Sequence, residues 1–177
     1  MSQSCVEQSP YCGADFLSSE TLNRADEAVA EVFHMMFGFV TEPVDAPCPT
    51  PPTPGSDDRT AVVGFSGSMR GSCQIRISSP AARAVASAML GGVPIDEDDD
   101  SINDAIGELC NMLAGGWKNA IPALSSACAL SPPTVISGHD YKVHVRMPSV
   151  NLSRTYRFDI HCLQLTLHCE QVEPPGE

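Results

Sequence analysis

Between residues 102 and 115 the chain alternates apolar and polar positions with the period of an α-helix. Ile102, Ile106, Leu109 and Leu113 fall on one side, the stripe of a helix packed on a core. Asp104, Glu108, Asn111 and Gly115 fall within roughly 60° of one another on the other side, at about 100° per residue. Two carboxylates and a carboxamide therefore face outward, beside a glycine that lets a partner approach closely. An acid and an amide one turn apart can pair with a cation and orient a water molecule, which is chemistry directed at another molecule.

The same periodicity predicts a helix from residue 19 onward, with Leu22, Ala25, Val29, Val32, Phe33 and Met36 on its apolar face and Gly38 as its stop. Residues 1–18 read as a flexible N-terminal tail. Residues 42–60 carry Pro43, Pro47, Pro49, Pro51, Pro52 and Pro54, a density that excludes helix and central strand and predicts an extended insert. Two strands, 61–67 and 72–78, flank Ser68-Met69-Arg70-Gly71 as a hairpin. Pro80 opens a helix over 81–90, closed by Gly91 and Gly92. Further strands are expected at 130–136, 141–147 and 156–170, the last long enough to bend or split. Residues 171–177 read as a disordered tail.

One regularity is not local. Shifted by 77 residues, 27–38 lies over 104–115: Ala, Glu, Met and Gly recur identically, and acid with acid and apolar with apolar elsewhere. His34 stands where the second copy has Asn111. The pattern fits a duplicated helical unit.

Composition narrows the class. At 177 residues, with 42% hydrophobic and 18% charged residues, the chain suits a single soluble domain with a sizeable core. The formal net charge of -12 repels phosphate backbones, so nucleic acid is not expected as a partner, and basic-rimmed proteins are. No run of about 20 apolar residues marks a membrane-spanning helix, and the first ten residues lack the basic and apolar regions of a secretory signal. Cytoplasm is the expected compartment. The eight cysteines show no C-x-x-C pair, so reduced thiols, several in the core, are expected rather than a disulfide framework.

Structural readings compete at several positions. Exposed Glu and Asn on a helix are commonly solubilising. Ser101 can cap the key helix, and Ser101-Ile102-Asn103-Asp104 has the form of a capping box, which for Asp104 outweighs a catalytic role. The acidic run 96–100 invites calcium, but the sixth and twelfth places of such a loop hold Ser101 and Gly107 where glycine and glutamate are needed. His161 and His168 have opposite strand parity and cannot share a metal without a bend. No metal site is expected. His34 reads as a surface or satisfied interior residue, and Trp117 as core, dimer interface or partner contact.

Asp104, three residues, Glu108, two residues, Asn111 and then Pro132-Pro133 resemble the signature of the CheC/CheX/FliY chemotaxis phosphatases, closest to CheX-like single-site domains. Gly64-Phe65-Ser66-Gly67, Ala88-Met89-Leu90-Gly91 and Leu130 through Gly138 add to the likeness, best over 61–138 and extending over about 20–168. The Pro-rich insert and the acidic loop depart from it, and the loose proline spacing assigns no direct role to Pro132 or Pro133. The resemblance implies an α+β fold, two long pseudo-repeated helices on a largely antiparallel β-sheet, spanning 19–170. It implies hydrolysis of the phosphoaspartate on a CheY-like response-regulator receiver. Asn111 would position the attacking water and Glu108 pair with the receiver's lysine, with Asp104 and Gly115 contacting the partner. No cofactor is expected in this chain, Mg²⁺ in the receiver is, and a homodimer is compatible with the family. The alternative is a non-catalytic CheX-like module that binds a receiver or a motor-switch protein.

Overall fold

The computed structural model describes residues 18–45, 58–96, 100–138, 141–144 and 149–170. The expected N-terminal tail, 1–18, lies outside these residues except for Ser18, as do the expected tail 171–177 and most of the Pro-rich insert and acidic loop.

Helix α1 (Ser19–Phe37) begins where Ser18 accepts the Thr21 N–H at its side-chain oxygen and ends at Gly38, which takes φ 70°. The Gly38 N–H donates to the His34 carbonyl and the Phe39 N–H to that of Phe33, the paired closure for which a glycine is preferred. Strands β1 (Thr41–Val44), β2 (Asp58–Gly67) and β3 (Gly71–Ile77) follow, then α2 (Ser79–Met89) and α3 (Asp100–Asn119). A single turn, α4 (Pro122–Ser125), leads into β4 (Cys128–Leu130), β5 (Thr134–Gly138), β6 (Ser149–Phe158) and β7 (His161–Glu170).

Among the described residues the strands form one antiparallel sheet in the order β1-β6-β7-β3-β2, with β4 and β5 both pairing β2 at its far edge. Helices α1, α2 and α3 cover one face. Ala61, Val63 and Phe65 of β2, Cys73, Ile75 and Ile77 of β3, and Leu163, Leu165 and Leu167 of β7 point into the core beneath them. The other face is polar, as in the Ser153 and Thr166 hydroxyls 3.0 Å apart across β6 and β7, the usual division for an antiparallel sheet with one solvated side. The α+β architecture inferred from the resemblance is the one observed.

Several boundaries differ from expectation. The insert is shorter: 41–44 form an edge strand, which tolerates Pro43 because an edge position spares its missing N–H. Asp58, Arg59 and Thr60 belong to the central strand β2, with Arg59 and Thr60 buried. The single strand expected at 130–136 is two, because Ser131-Pro132-Pro133 interrupts the ladder. Residues 141–144 are not a strand, and 145–148 lie outside the described set. The expected 156–170 strand splits at Asp159, which turns the chain at φ 48°, and its first arm reaches back to Ser149. Trp117 is core: it is 1% exposed and its ring lies 5.5 Å from that of Phe65. The described cysteines, Cys73, Cys110, Cys128, Cys162 and Cys169, are buried and form no disulfide with one another.

Candidate functional site

Helix α3 is held on every side except one. Its apolar stripe, Ile102, Ile106, Leu109, Leu113 and Trp117, is almost wholly excluded from water, about 1.5–3 kcal/mol of burial for each large side chain. Near its start, the buried Arg59 of β2 donates from Nε to Asn103 Oδ1 at 3.1 Å and from Nη1 to Ser79 Oγ. Near its end, Lys118 Nζ donates to the carbonyls of Ser125, at 2.9 Å, and Cys128, at 3.1 Å. Halfway along, the Cys110 thiol lies 3.5 Å from the Ala61 carbonyl and 3.6 Å from that of Cys73. The neighbouring Cys110 thiol and burial push the Cys73 thiol well above its usual range, so Cys73 is core rather than a nucleophile.

The remaining side carries the residues singled out in the sequence. Asp104 and Glu108 are exposed, and Asn111 and Gly115 are half-buried. Among the described residues no hydrogen bond or ion pair engages the side chains of Asp104, Glu108 or Asn111. Their scaffold is fixed while their polar groups await a partner. The capping-box reading of Asp104 does not hold, because α3 starts at Asp100 and Ser101 lies inside it. A carboxylate at the helix start already complements the dipole, and Asp104 stands a full turn further on.

Two flanks border this face. On one, Gly116 packs against α1, where a Cβ would sit 3.4 Å from the Cβ of Ala28. On the other, the corner between β4 and β5 leans on the helix. A Cβ on Gly107 would meet Val135 Cγ2 at 3.3 Å and Pro133 Cγ at 3.4 Å, and one on Gly115 would meet Leu130 Cδ1 at 3.9 Å. Ser131 anchors the corner to β2: its N–H donates to the Gly64 carbonyl at 2.9 Å, and the Gly64 N–H donates to its Oγ at 2.8 Å. Gly107 and Ser131 escaped the sequence reading. The signal was a glycine in a helix interior, which loses about 1 kcal/mol relative to alanine and so marks a close approach.

The pseudo-equivalent face of α1 is only partly similar. Glu31 and His34 are exposed there, but Gly38, the counterpart of Gly115, terminates its helix. Among the described residues no group of three His, Cys, Asp or Glu side chains is placed to hold a metal ion, and no helix is long and apolar enough to cross a membrane.

Known proteins share this fold. Residues 59–155 match the family described as chemotaxis phosphatase CheX. The chain is 35% identical over 105 residues to the CheY-P phosphatase CheX of Thermotoga maritima, covering 56% of this chain and 67% of that one. Its fold is similar to the crystal structure of the chemotaxis protein CheX from Desulfovibrio desulfuricans (TM-score 0.70, 23% identity, 85% of this chain and 99% of that one). It is similar too to the CheX–CheY–BeF3–Mg²⁺ complex from Borrelia burgdorferi (TM-score 0.66, 19% identity, 85% and 98%). With its two long helices over an antiparallel sheet and its matched span of 59–155, the chain belongs to the CheX family of chemotaxis phosphatases.

Proposed function

We propose that this protein is a phosphatase that hydrolyses the phosphoaspartate of a CheY-like response-regulator receiver, with Asn111 and Glu108 as the working pair. The observation that carries the reading is the pair itself: a carboxylate and a carboxamide one turn apart, unpartnered, on a helix immobilised by its core stripe and by ties near both ends. The resemblance of the chain to a CheY-P phosphatase supplies the substrate class.

The chemistry asks little covalent work of the protein. Water attacks phosphorus opposite the aspartyl oxygen, the phosphorus–oxygen bond to the carboxyl breaks, and inorganic phosphate leaves with a free aspartate behind. Such reactions are accelerated chiefly by positioning and electrostatics. The Asn111 carboxamide can accept a hydrogen bond from the water through Oδ1 and donate through Nδ2 while remaining neutral. Glu108 supplies a charge-assisted partner for a receiver lysine and fixes the docked register. Asp104 and Gly115, on the same face, are assigned to the docking rim. The Mg²⁺ of this reaction belongs to the receiver and neutralises the phosphoryl oxygens there. We place the reaction in the cytoplasm. A homodimer through the sheet belongs to the same reading and is checked by the mass in solution.

The test is the decay of a phosphorylated CheY-like receiver in Mg²⁺, with the parent protein and with Asn111→Ala. The expected result is acceleration by the parent and a loss of about 10²-fold or more in kcat for the variant, with receiver binding retained. Binding with unchanged decay would make the chain a docking module and discard the mechanism.

A further inference from the structure

Gly107, Asn111 and Gly115 follow one another at four-residue spacing, each turned about 40° from the last, so they form one row along α3. The two glycines report what this row faces. Gly107 lies against Pro133 and Val135, and Gly115 against Leu130. The connection Ser131-Pro132-Pro133 runs between those contacts and therefore passes alongside Asn111, the half-buried middle member of the row. Glu108, by contrast, lies on the exposed side of the helix, away from this wall.

The wall is stiff. Two consecutive prolines fix their own φ angles. The exposed Ser131 hydroxyl is committed twice, accepting from the Gly64 N–H at 2.8 Å and donating to the Pro132 carbonyl at 2.9 Å. The Ser131 N–H closes the ring to the Gly64 carbonyl at 2.9 Å. A surface serine used only for solubility has no reason to be tied through both its N–H and its hydroxyl to the corner beside the reacting face.

We propose that Ser131 is a positioning residue for the phosphatase reaction: by locking the β4–β5 corner against α3 it restricts where the Asn111 carboxamide can place the attacking water. The inference rests on the phosphatase reading above and deepens it. It divides labour on the face, with Glu108 governing docking and the Ser131 corner governing the geometry of attack. Gly107 belongs to the same device, since a methyl there would crowd Val135 Cγ2 at 3.3 Å and Pro133 Cγ at 3.4 Å and shift the corner by a few tenths of an ångström.

The experiment measures steady-state dephosphorylation of a phosphorylated CheY-like receiver by the full chain and its variants Ser131→Ala, Ser131→Thr and Gly107→Ala. Misplacement by a few tenths of an ångström is expected to lower kcat about tenfold in Ser131→Ala, with KM unchanged, and Ser131→Thr, which keeps the hydroxyl, restores it. Gly107→Ala is expected to lower kcat in the same direction. In an Asn111→Ala background Ser131→Ala is expected to add nothing, because the two act through one group. Parental kcat in Ser131→Ala, a change confined to KM, or an undiminished tenfold loss in the Asn111→Ala background would each overturn the positioning role alone. A parent protein that leaves receiver decay unchanged would overturn the phosphatase reading and this inference with it.

Discussion

The tie between α1 and the sheet offers a perturbation whose size can be worked from the structure. Tyr156 of β6 is 1% exposed and donates its phenolic hydrogen to Asp26 Oδ1 of α1 at 2.8 Å. Arg154 Nε lies 3.2 Å from the same oxygen, an ion pair between side chains 28% and 26% exposed. Tyr156→Phe removes the hydroxyl and leaves the buried ring, so the apolar contribution is unchanged. A hydrogen bond to a charged acceptor contributes about 1.5–3 kcal/mol. Asp26 keeps Arg154 and about a quarter of its surface in water, which favours the low end, about 1.5 kcal/mol. For a domain of this size that corresponds to roughly 3–6 °C in Tm.

The same contact fixes the sign of a pH effect. Burial, then the hydrogen bond and charge of Asp26, push the Tyr156 hydroxyl far above the usual phenol range. A group whose folded pKa is raised contributes its full stability below its unfolded pKa and loses it as pH rises beyond. The parent should therefore exceed Tyr156→Phe by a constant margin up to about pH 10, then lose about 1.4 kcal/mol per pH unit relative to it. The two stability curves should cross about one unit higher, near pH 11. Urea unfolding followed by circular dichroism from pH 7 to 11.5 reads both quantities. A variant within about 0.4 kcal/mol of the parent at pH 7, with parallel alkaline limbs, would refute the reasoning.

Reversal of the docking charge, Glu108→Lys, should raise KM for the phosphorylated receiver at least thirtyfold, the equivalent of about 2 kcal/mol for a disrupted interface charge pair. Its Tm should change little, since the side chain is exposed and unpaired; receiver titration and a melting curve separate the two. The single substitution His34→Asn, placed in the Asn111→Ala background, should leave receiver decay at the level of Asn111→Ala alone.

Much of the fold was legible because the chain is locally consistent. The α1 stripe ends where Gly38 takes its left-handed conformation, and the β2–β3 hairpin turns at Gly67 and Gly71. What was not legible lies where a charged side chain points inward toward a partner far along the chain. In β6, Val150, Leu152, Tyr156 and Phe158 alternate with Asn151, Ser153, Thr155 and Arg157 as a half-buried strand should. The alternation is broken at Arg154, an inward position satisfied by Asp26 more than a hundred residues earlier. Arg59 did the same to β2: buried on Asn103 and Ser79, it reads in the sequence as the polar end of a proline-rich insert. At the candidate site the outward face of α3 followed from periodicity. The wall beside it did not, because the reciprocal bonds of Ser131 and Gly64 join residues 67 positions apart.

The internal repeat raises the question of why one helix should carry the site and its counterpart should not. A glutamate and a polar ring or amide at the same spacing are present on both, so residue type alone does not decide it. Asn111 has eight further helical residues beyond it, and it is half-buried between Gly107 and Gly115, the two glycines that lie against the β4–β5 corner. His34 lies in the last turn of α1, four residues before Gly38 closes the helix, exposed and followed by Met35 and Met36 at 74% and 53% exposure. A side chain free to sample several rotamers loses that freedom again at each turnover, and an orienting group gains its advantage only when the loss is met in folding. Placing the carboxamide at position 34 therefore supplies the chemistry without the constraint. Recovery of the full parental rate by His34→Asn in the Asn111→Ala background would show that the amide works equally well without its wall, and would remove the ground for assigning Ser131 and Gly107 any part in the reaction.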